Sequence, residues 1–432
     1  MAIFAADALN PGVRPTEVWS WAGYDFANSG YTTVVLTAVF NAYFVSVVAT
    51  GADWATLAWT VTLAVSNAAV MVAMPVIGAY ADLRARKQWL LRLSTIGCVL
   101  STAALALAGR GDVAIAVIAI VVSNFFFQVG VSLVGAFLPE IARPHALGKV
   151  SGWGWSFGYL GGLATLAVCL GYVTWAQRQG STAENFVPVT MLITATIFAI
   201  ASLPALTILR ERAVAQAEGS FDAVRTSMSR LASTLKHVGQ YRDFARLLLC
   251  SVFYQAGVAV VIALAAIYAQ EVMNFSFEQT LLLVLVVNVT AAIGAFAFGY
   301  LQDKLGHKLA LALTLTVWIA MTIVASLATT SPMFWFAANL AGLAMGSSQS
   351  AGRAMTGVFA PRARLAEFYG LWTLSVQVAA IIGPLTYGVV VYLTANNHRL
   401  GMLITGGIFV IGLLLIATLN IERGRRAAES AA

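Results

Sequence analysis

"EVWSWAGYDFANSGYTTVVLTAVFNAYFV", residues 17–45, is apolar over most of its length yet carries Asp25 and Asn28 inside it. About 20 apolar residues rising 1.5 Å each cross a bilayer core, so the run reads as a spanning helix. Eleven more such runs follow. The twelve lie at 19–47, 54–80, 89–109, 112–138, 150–174, 186–209, 244–270, 279–302, 309–329, 332–359, 366–393 and 401–420. Of the 432 residues, 60% are hydrophobic and 10% charged, where a soluble domain has roughly 25% charged. An all-α integral membrane protein is the fold class these numbers imply.

The net charge of +7 could suggest nucleic acid, but the basic residues are placed by topology. With residue 1 on the cytoplasmic side, alternate connections put 22 of the 25 Lys and Arg on that face and leave Arg110, Arg178 and Arg399 outside. That is the positive-inside asymmetry, and it puts both termini in the cytoplasm. Residues 1–17 lack the basic start, apolar middle and small-residue cleavage site of a signal peptide, so the first helix is expected to stay. Abundant Ala and Arg with little Lys suggest a bacterial inner membrane. Cys98, Cys169 and Cys250 sit inside apolar runs without metal-like spacing and read as small packing residues. No metal and no cofactor are indicated.

Two landmarks repeat. "GAYADLRARK" (78–87) and "GYLQDKLGHK" (299–308) each give a Gly, three residues, an Asp and a basic cluster, and Gly78 and Gly299 are 221 residues apart. "LPEIARP" (138–144) and "FAPRARL" (359–365) end the fourth and tenth runs, with Pro139 and Pro361 separated by 222. Six helices, a longer connection and six more is the plan of parallel repeats in major facilitator transporters. The expected domains are a bundle at 1–209, a cytoplasmic linker at 210–243 and a second bundle at 244–432. Within the linker, Phe221, Val224, Met228, Leu231, Leu235 and Val238 recur at helical spacing, while Arg225, Arg230 and Lys236 fall elsewhere. This describes an amphipathic helix on the membrane surface.

The loop chemistry follows from residue type. Gly78 and Gly299 permit close helix approach, and Asp82 and Asp303 can accept from exposed amides at a neighbouring helix N-terminus. Arg84, Arg86 and Lys87, with Lys304 and Lys308 in the second copy, can pair with carboxylates or lipid phosphates. Contacts made in one state and broken in another suit a conformational latch. Basic loops also follow from topology alone, but two copies at a matched interval favour the latch. The loop resembles the one that major facilitators carry between helices 2 and 3, and departs from it at Leu83, where a basic residue is usual, and at Ala85, where Gly is.

Ionisable groups near the membrane centre cost roughly 2.5–3.5 kcal/mol on insertion scales and are usually paired, cavity-facing or functional. Trp21, Asp25, Asn28 and Thr32 are spaced by 4, 3 and 4 and share one face of helix 1. Gly342, Gly346, Gln349 and Arg353 do so on helix 10, Asn124, Gln128 and Ser132 on helix 4, and Tyr254 with Gln255 on helix 7. An alternative reading takes Asp25, about seven residues into its run, as a helix-start carboxylate, Arg353 as snorkelling, and Asn124 and Gln128 as packing glue. Trp153, Trp155 and Tyr159 of helix 5 read as packing anchors, and Gly154, Gly158 and Gly162 as a tight helix-packing strip.

"WAGYDFANSGYTTVVLTAVFNAYF" (21–44) resembles the first-helix signature of the autophagy-related vacuolar amino-acid effluxers and their bacterial relatives, the unknown major facilitator branch. "LPEIA" (138–142), "SGWGWSFGYLGG" (151–162), "SSQSAGR" (347–353) and "EFYGLW" (367–372) resemble its other landmarks, so the likeness spans nearly the whole chain. It implies a secondary transporter of small polar or charged solutes, amino acids among them. Tyr24, Asp25, Asn28, Gln349 and Arg353 match the family's motif positions. Two departures are Gln255 with Ala256 in "FYQAGV", where an Asp often follows the tyrosine, and Gly135, where an Asn often precedes "LPE". Expected partners are a small-molecule solute, the lipid bilayer and a proton as coupling ion, with no nucleic acid and a monomeric chain. Other substrate classes remain open: drugs, peptides or sugars. So does a non-transporting receptor or scaffold. His145, His237, His307 and His398 are scattered, and no Walker, H-E-x-x-H or G-x-S-x-G motif occurs, so an enzyme is not expected.

Overall fold

A computed structural model of the chain describes residues 6–50, 52, 54–215, 240–395 and 397–430. The amphipathic helix expected from Phe221 to Val238 lies outside the described residues. The described chain is helical apart from an isolated β-bridge between Leu9 and Ala142.

Helix α1 (Pro15–Tyr31) starts on a proline, whose missing N–H and fixed φ suit the first turn. It continues through two π-helical runs, Thr32–Ala38 in the β-branched second half of the opening stretch and Phe44–Val48 at its end and just beyond. Helices α2 (Ala55–Arg84), α3 (Lys87–Ala104), α4 (Val113–Ala136), α5 (Leu147–Arg178) and α6 (Ala183–Thr207) follow. Beyond the linker come α7 (Arg242–Glu271), α8 (Phe277–Leu305), α9 (His307–Leu327), α10 (Ser331–Phe359), α11 (Leu365–Leu393), α12 (His398–Ala417) and a short amphipathic α13 (Ile421–Ser430). Each of the twelve expected runs falls on one of the helices α1 to α12, with ends that differ by a few residues.

Among the described residues, 11 helical segments are long and apolar enough to cross a membrane. Helix α10 is not one of them, although its 29 residues are ample for the distance. The reason is composition. Its Gly, Ser and Ala residues let it press against α8, and Asn339, Gln349 and Arg353 dilute what remains.

The packing pattern has a regularity. Helix α1 packs on α5 and α6, α3 on α4 and α6, and α2 on α4. Counterparts six helices later do the same: α7 packs on α11 and α12, α9 on α10 and α12, and α8 on α10. The two sets meet where α5 packs on α8 and α10, and where α11 packs on α2 and α4. Large apolar side chains such as Leu57, Val72, Ile118, Ile200, Leu385 and Leu414 stand exposed on the outer faces, as a hydrocarbon solvent requires.

Candidate functional site

The site is built where α1, α5 and α10 converge. Arg353 of α10 places Nη1 2.6 Å from Asp25 Oδ2 of α1, joining the two helix sets through one ion pair. Both residues are buried. Two further guanidinium donors go to α5: Nε donates to Ser151 Oγ at 3.1 Å and Nη2 to the Ser151 carbonyl at 2.8 Å. The group lies over two indoles, with Cζ 4.6 Å from the Trp21 centroid and 5.4 Å from that of Trp155. A planar, delocalised cation with five forked donors suits such a site, and lysine would not fill it. The approach depends on Gly154, because a Cβ there would collide with Asp25, Arg353 and Trp21.

Asp25 therefore does not cap a helix start: α1 begins at Pro15, and the carboxylate is committed to Arg353. Arg353 does not snorkel either. Its partners are all internal. Trp155, read from the sequence as a packing anchor, covers the guanidinium instead.

Buried polar atoms without a protein partner surround the pair. Asn28, one turn along α1 from Asp25, has neither amide atom bonded, and the Trp155 Nε1–H is also unmatched. Each such group costs about 1–3 kcal/mol when left dry, so its presence calls for a water, a ligand or a strain role. On the facing set, Gln255 and Gln349 exchange two amide hydrogen bonds of 3.0 and 3.1 Å, and the Tyr254 hydroxyl has no hydrogen-bond partner.

The other expected pathway residues are not all drawn in. Tyr24 turns within its own set and bonds Thr95 Oγ1 of α3 at 2.9 Å. Thr32 donates back to the Asn28 and Ser29 carbonyls of its own helix. Asn124 donates to Ser66 and Asn67 of α2, the packing role weighed for it above. Gln128 is half-buried on α4.

Both Gly–Asp loops make one and the same contact with the opposite set. The two Asp82 oxygens accept from the Ala366 and Glu367 amides, at 3.1 and 2.8 Å, where α11 begins. The two Asp303 oxygens accept from the Gly148 and Lys149 amides, both at 2.9 Å, where α5 begins. Gly78 lies against the Ala366 carbonyl and Gly299 against Gly148 and Gly152, leaving no room for a Cβ at either place.

The basic residues of the loops are used unequally. Lys87 is fully buried and ion-paired with Glu140 of the α4–α5 connection, within its own helix set. Arg212 adds its backbone amide to Glu140 and its guanidinium to Glu17, while the Glu211 carboxylate accepts from the Lys87 and Gln88 amides where α3 begins. Lys308 instead donates to the Ala417 and Leu419 carbonyls at the end of α12. Arg86 and Lys304 are exposed. Sequence reading did not single out Ser151, Glu17, Glu140, Glu211 or Arg212, although Glu17, Glu140 and Ser151 lie inside the quoted stretches.

Comparisons with known proteins agree on the kind of molecule. The family described as "Vacuole effluxer Atg22 like" matches residues 45–429. The uncharacterized MFS-type transporter YxiO of Bacillus subtilis (strain 168) is 26% identical over 408 residues, covering 92% of this chain and 93% of that protein. Autophagy-related protein 22 of Yarrowia lipolytica is 23% identical over 331 residues, which is 66% of this chain and 53% of the relative. Among solved structures, the human organic anion transporter MFSD10 has a TM-score of 0.72 at 16% identity, covering 93% of this chain and all 100% of its own. A bacterial homologue of the iron transporter ferroportin in its outward-facing state has 0.68 at 13%, covering 94% and 99%. These structural likenesses carry the fold.

Proposed function

This chain belongs to the Atg22-like vacuole effluxer family of the major facilitator superfamily, and from that premise we propose that it moves a small polar or charged solute, an amino acid among the candidates, by alternating access. Helices α1 to α12 act as two six-helix bundles, residues 1–209 and 244–432 joined by the linker at 210–243, with α10 as the twelfth span. The helix packing that maps onto itself six helices later, and the paired Asp82 and Asp303 contacts, support the repeat.

One observation carries the mechanism: the Asp25–Arg353 pair bridges the two bundles beside an Asn28 amide that the protein leaves unsatisfied. A solute bearing charge competes for one or both partners and offers the missing hydrogen bonds. Differential contact of this kind is what a ligand must supply to shift a conformational equilibrium. The bundles meet at the end that carries the basic loops, so this state is closed toward the cytoplasm with both termini on that side, in a bacterial inner membrane. Alternating access breaks the Asp25–Arg353, Asp82 and Asp303 contacts together. Asp25 is also the group placed to take up a coupling proton when Arg353 leaves, with the chain working as a monomer.

The test is solute flux in proteoliposomes with and without a pH gradient. Asp25→Asn should lower gradient-driven flux by about tenfold or more, the effect of losing roughly 1.4 kcal/mol in the limiting step. Unchanged, still pH-driven flux would remove Asp25 from the mechanism, and absence of saturable flux in the parent protein would favour a non-transporting receptor.

A further inference from the structure

We propose that the cavity at the loop ends of α9 and α12 binds the headgroup phosphate of an anionic phospholipid. The cavity has a volume of about 700 Å³. Its walls combine the charged or polar side chains of Lys308, Arg425 and His145 with Leu309, Leu413 and Leu414. Leu309 and Leu414 are 50% and 65% exposed on the outer faces of their helices, so an occupant here has acyl-compatible surface on one side and cations on the other.

Cationic donors stay open on this wall. Lys308 Nζ gives two protons to the Ala417 and Leu419 carbonyls, at 2.6 and 2.8 Å, and keeps a third. Arg425 has only a loose 3.8 Å contact with Glu422. Asp303, the other carboxylate on the wall, has both oxygens taken up by the start of α5. Neither Lys308 nor Arg425 is thus held in a close ion pair by Glu422 or Asp303, and both keep donors for a phosphate.

The first half of the molecule shows the same position filled. Lys87 is 221 residues before Lys308, and at the start of its helix the Glu211 carboxylate accepts from two backbone amides. Helix α9 begins at His307 with no side-chain cap, and the cavity lies in front of it. A lipid phosphate on Lys308 and Arg425 supplies there the negative charge that the linker supplies to α3. Since Asp303 shares the cavity wall, an occupied site braces the α8–α9 turn that carries this latch.

Placing the cavity at headgroup depth rests on the orientation proposed above, and anionic lipids of the inner leaflet attract basic residues at that depth. The test reads binding rather than flux, so its failure leaves the transport reading standing. The full-length protein is placed in nanodiscs of phosphatidylcholine alone or with phosphatidylglycerol, and thermal unfolding and lipid retained in native mass spectrometry are measured. Phosphatidylglycerol should raise the unfolding temperature saturably by a few degrees, as a ligand of the folded state must. Lys308→Gln with Arg425→Gln, and separately Ala312→Phe, which fills the cavity without altering charge, should abolish both the shift and the retained lipid. Arg210→Gln, on another basic connection, should keep them. Since Lys308 also holds the end of α12, a double variant that fails to fold leaves Arg425→Gln alone and Ala312→Phe to decide. A full phosphatidylglycerol shift in those variants, or an equal shift produced by inorganic phosphate in phosphatidylcholine discs, overturns the proposal.

Discussion

Asp82 and Asp303 hold equivalent pairs of backbone amides across the seam, but Asp82 is 3% exposed whereas Asp303 is only half-buried. The residues behind them diverge further. Behind Asp82 stands the buried Lys87–Glu140 pair, fastened by Glu17, Glu211 and Arg212. Behind Asp303 stands Lys308, which reaches carbonyls at the surface, and an open cavity. One motif thus sits in two unlike surroundings, and a carboxylate's hold depends on how far its surroundings exclude water and fix its neighbours.

The largest test of that inequality removes the basic residues. Lys87→Met leaves Glu140 buried without its cation and should cost about 3–5 kcal/mol, while Lys308→Met loses a helix-end contact of about 0.3–1 kcal/mol. Thermal unfolding of the two variants in one detergent compares them, and equal shifts would erase the distinction. Next come the carboxylates. Asp82→Ala should loosen the α2–α11 seam by about 2–3 kcal/mol and Asp303→Ala the α5–α8 seam by about 1 kcal/mol, since only the first leaves its amides dry. Spin-label distances across the basic-loop end should broaden more for Asp82→Ala.

The smallest test concerns the turn after each aspartate. Ala85 ends α2 with φ +48°, in the left-handed region, and Gly306 ends α8 with φ +86°. Ala85→Gly should stabilise by up to about 1 kcal/mol, and Gly306→Ala should destabilise by about 1–2 kcal/mol. Opposite signs in a thermal-shift assay would sharpen the comparison. A stabilised Gly306→Ala would show that backbone strain does not separate the two loops.

Much of the site was legible from residue type. Asp25 and Arg353 stand out because hydrocarbon tolerates few charges, and the 221-residue interval between the glycines marks the loops as copies. Trp155 was less legible, because an aromatic that packs and one that covers a cation look alike in a helix. Glu17, Glu140, Glu211 and Arg212 lie at helix ends and in connections, where charge is ordinary. Nothing local marks them as one buried cluster.

Sequence alone determined the membrane-spanning helices, their approximate ends, the duplicated loops and the identity of the charged residues inside apolar segments. These follow from composition and periodicity, which act over a few turns of chain. Only tertiary structure decided that Asp25 meets Arg353, 328 residues away, that Tyr24 and Asn124 turn away from that pair, and that two like loops are buried to different depths. Such pairings depend on which helix faces come together across the seam, and burial there sets what each charge is worth.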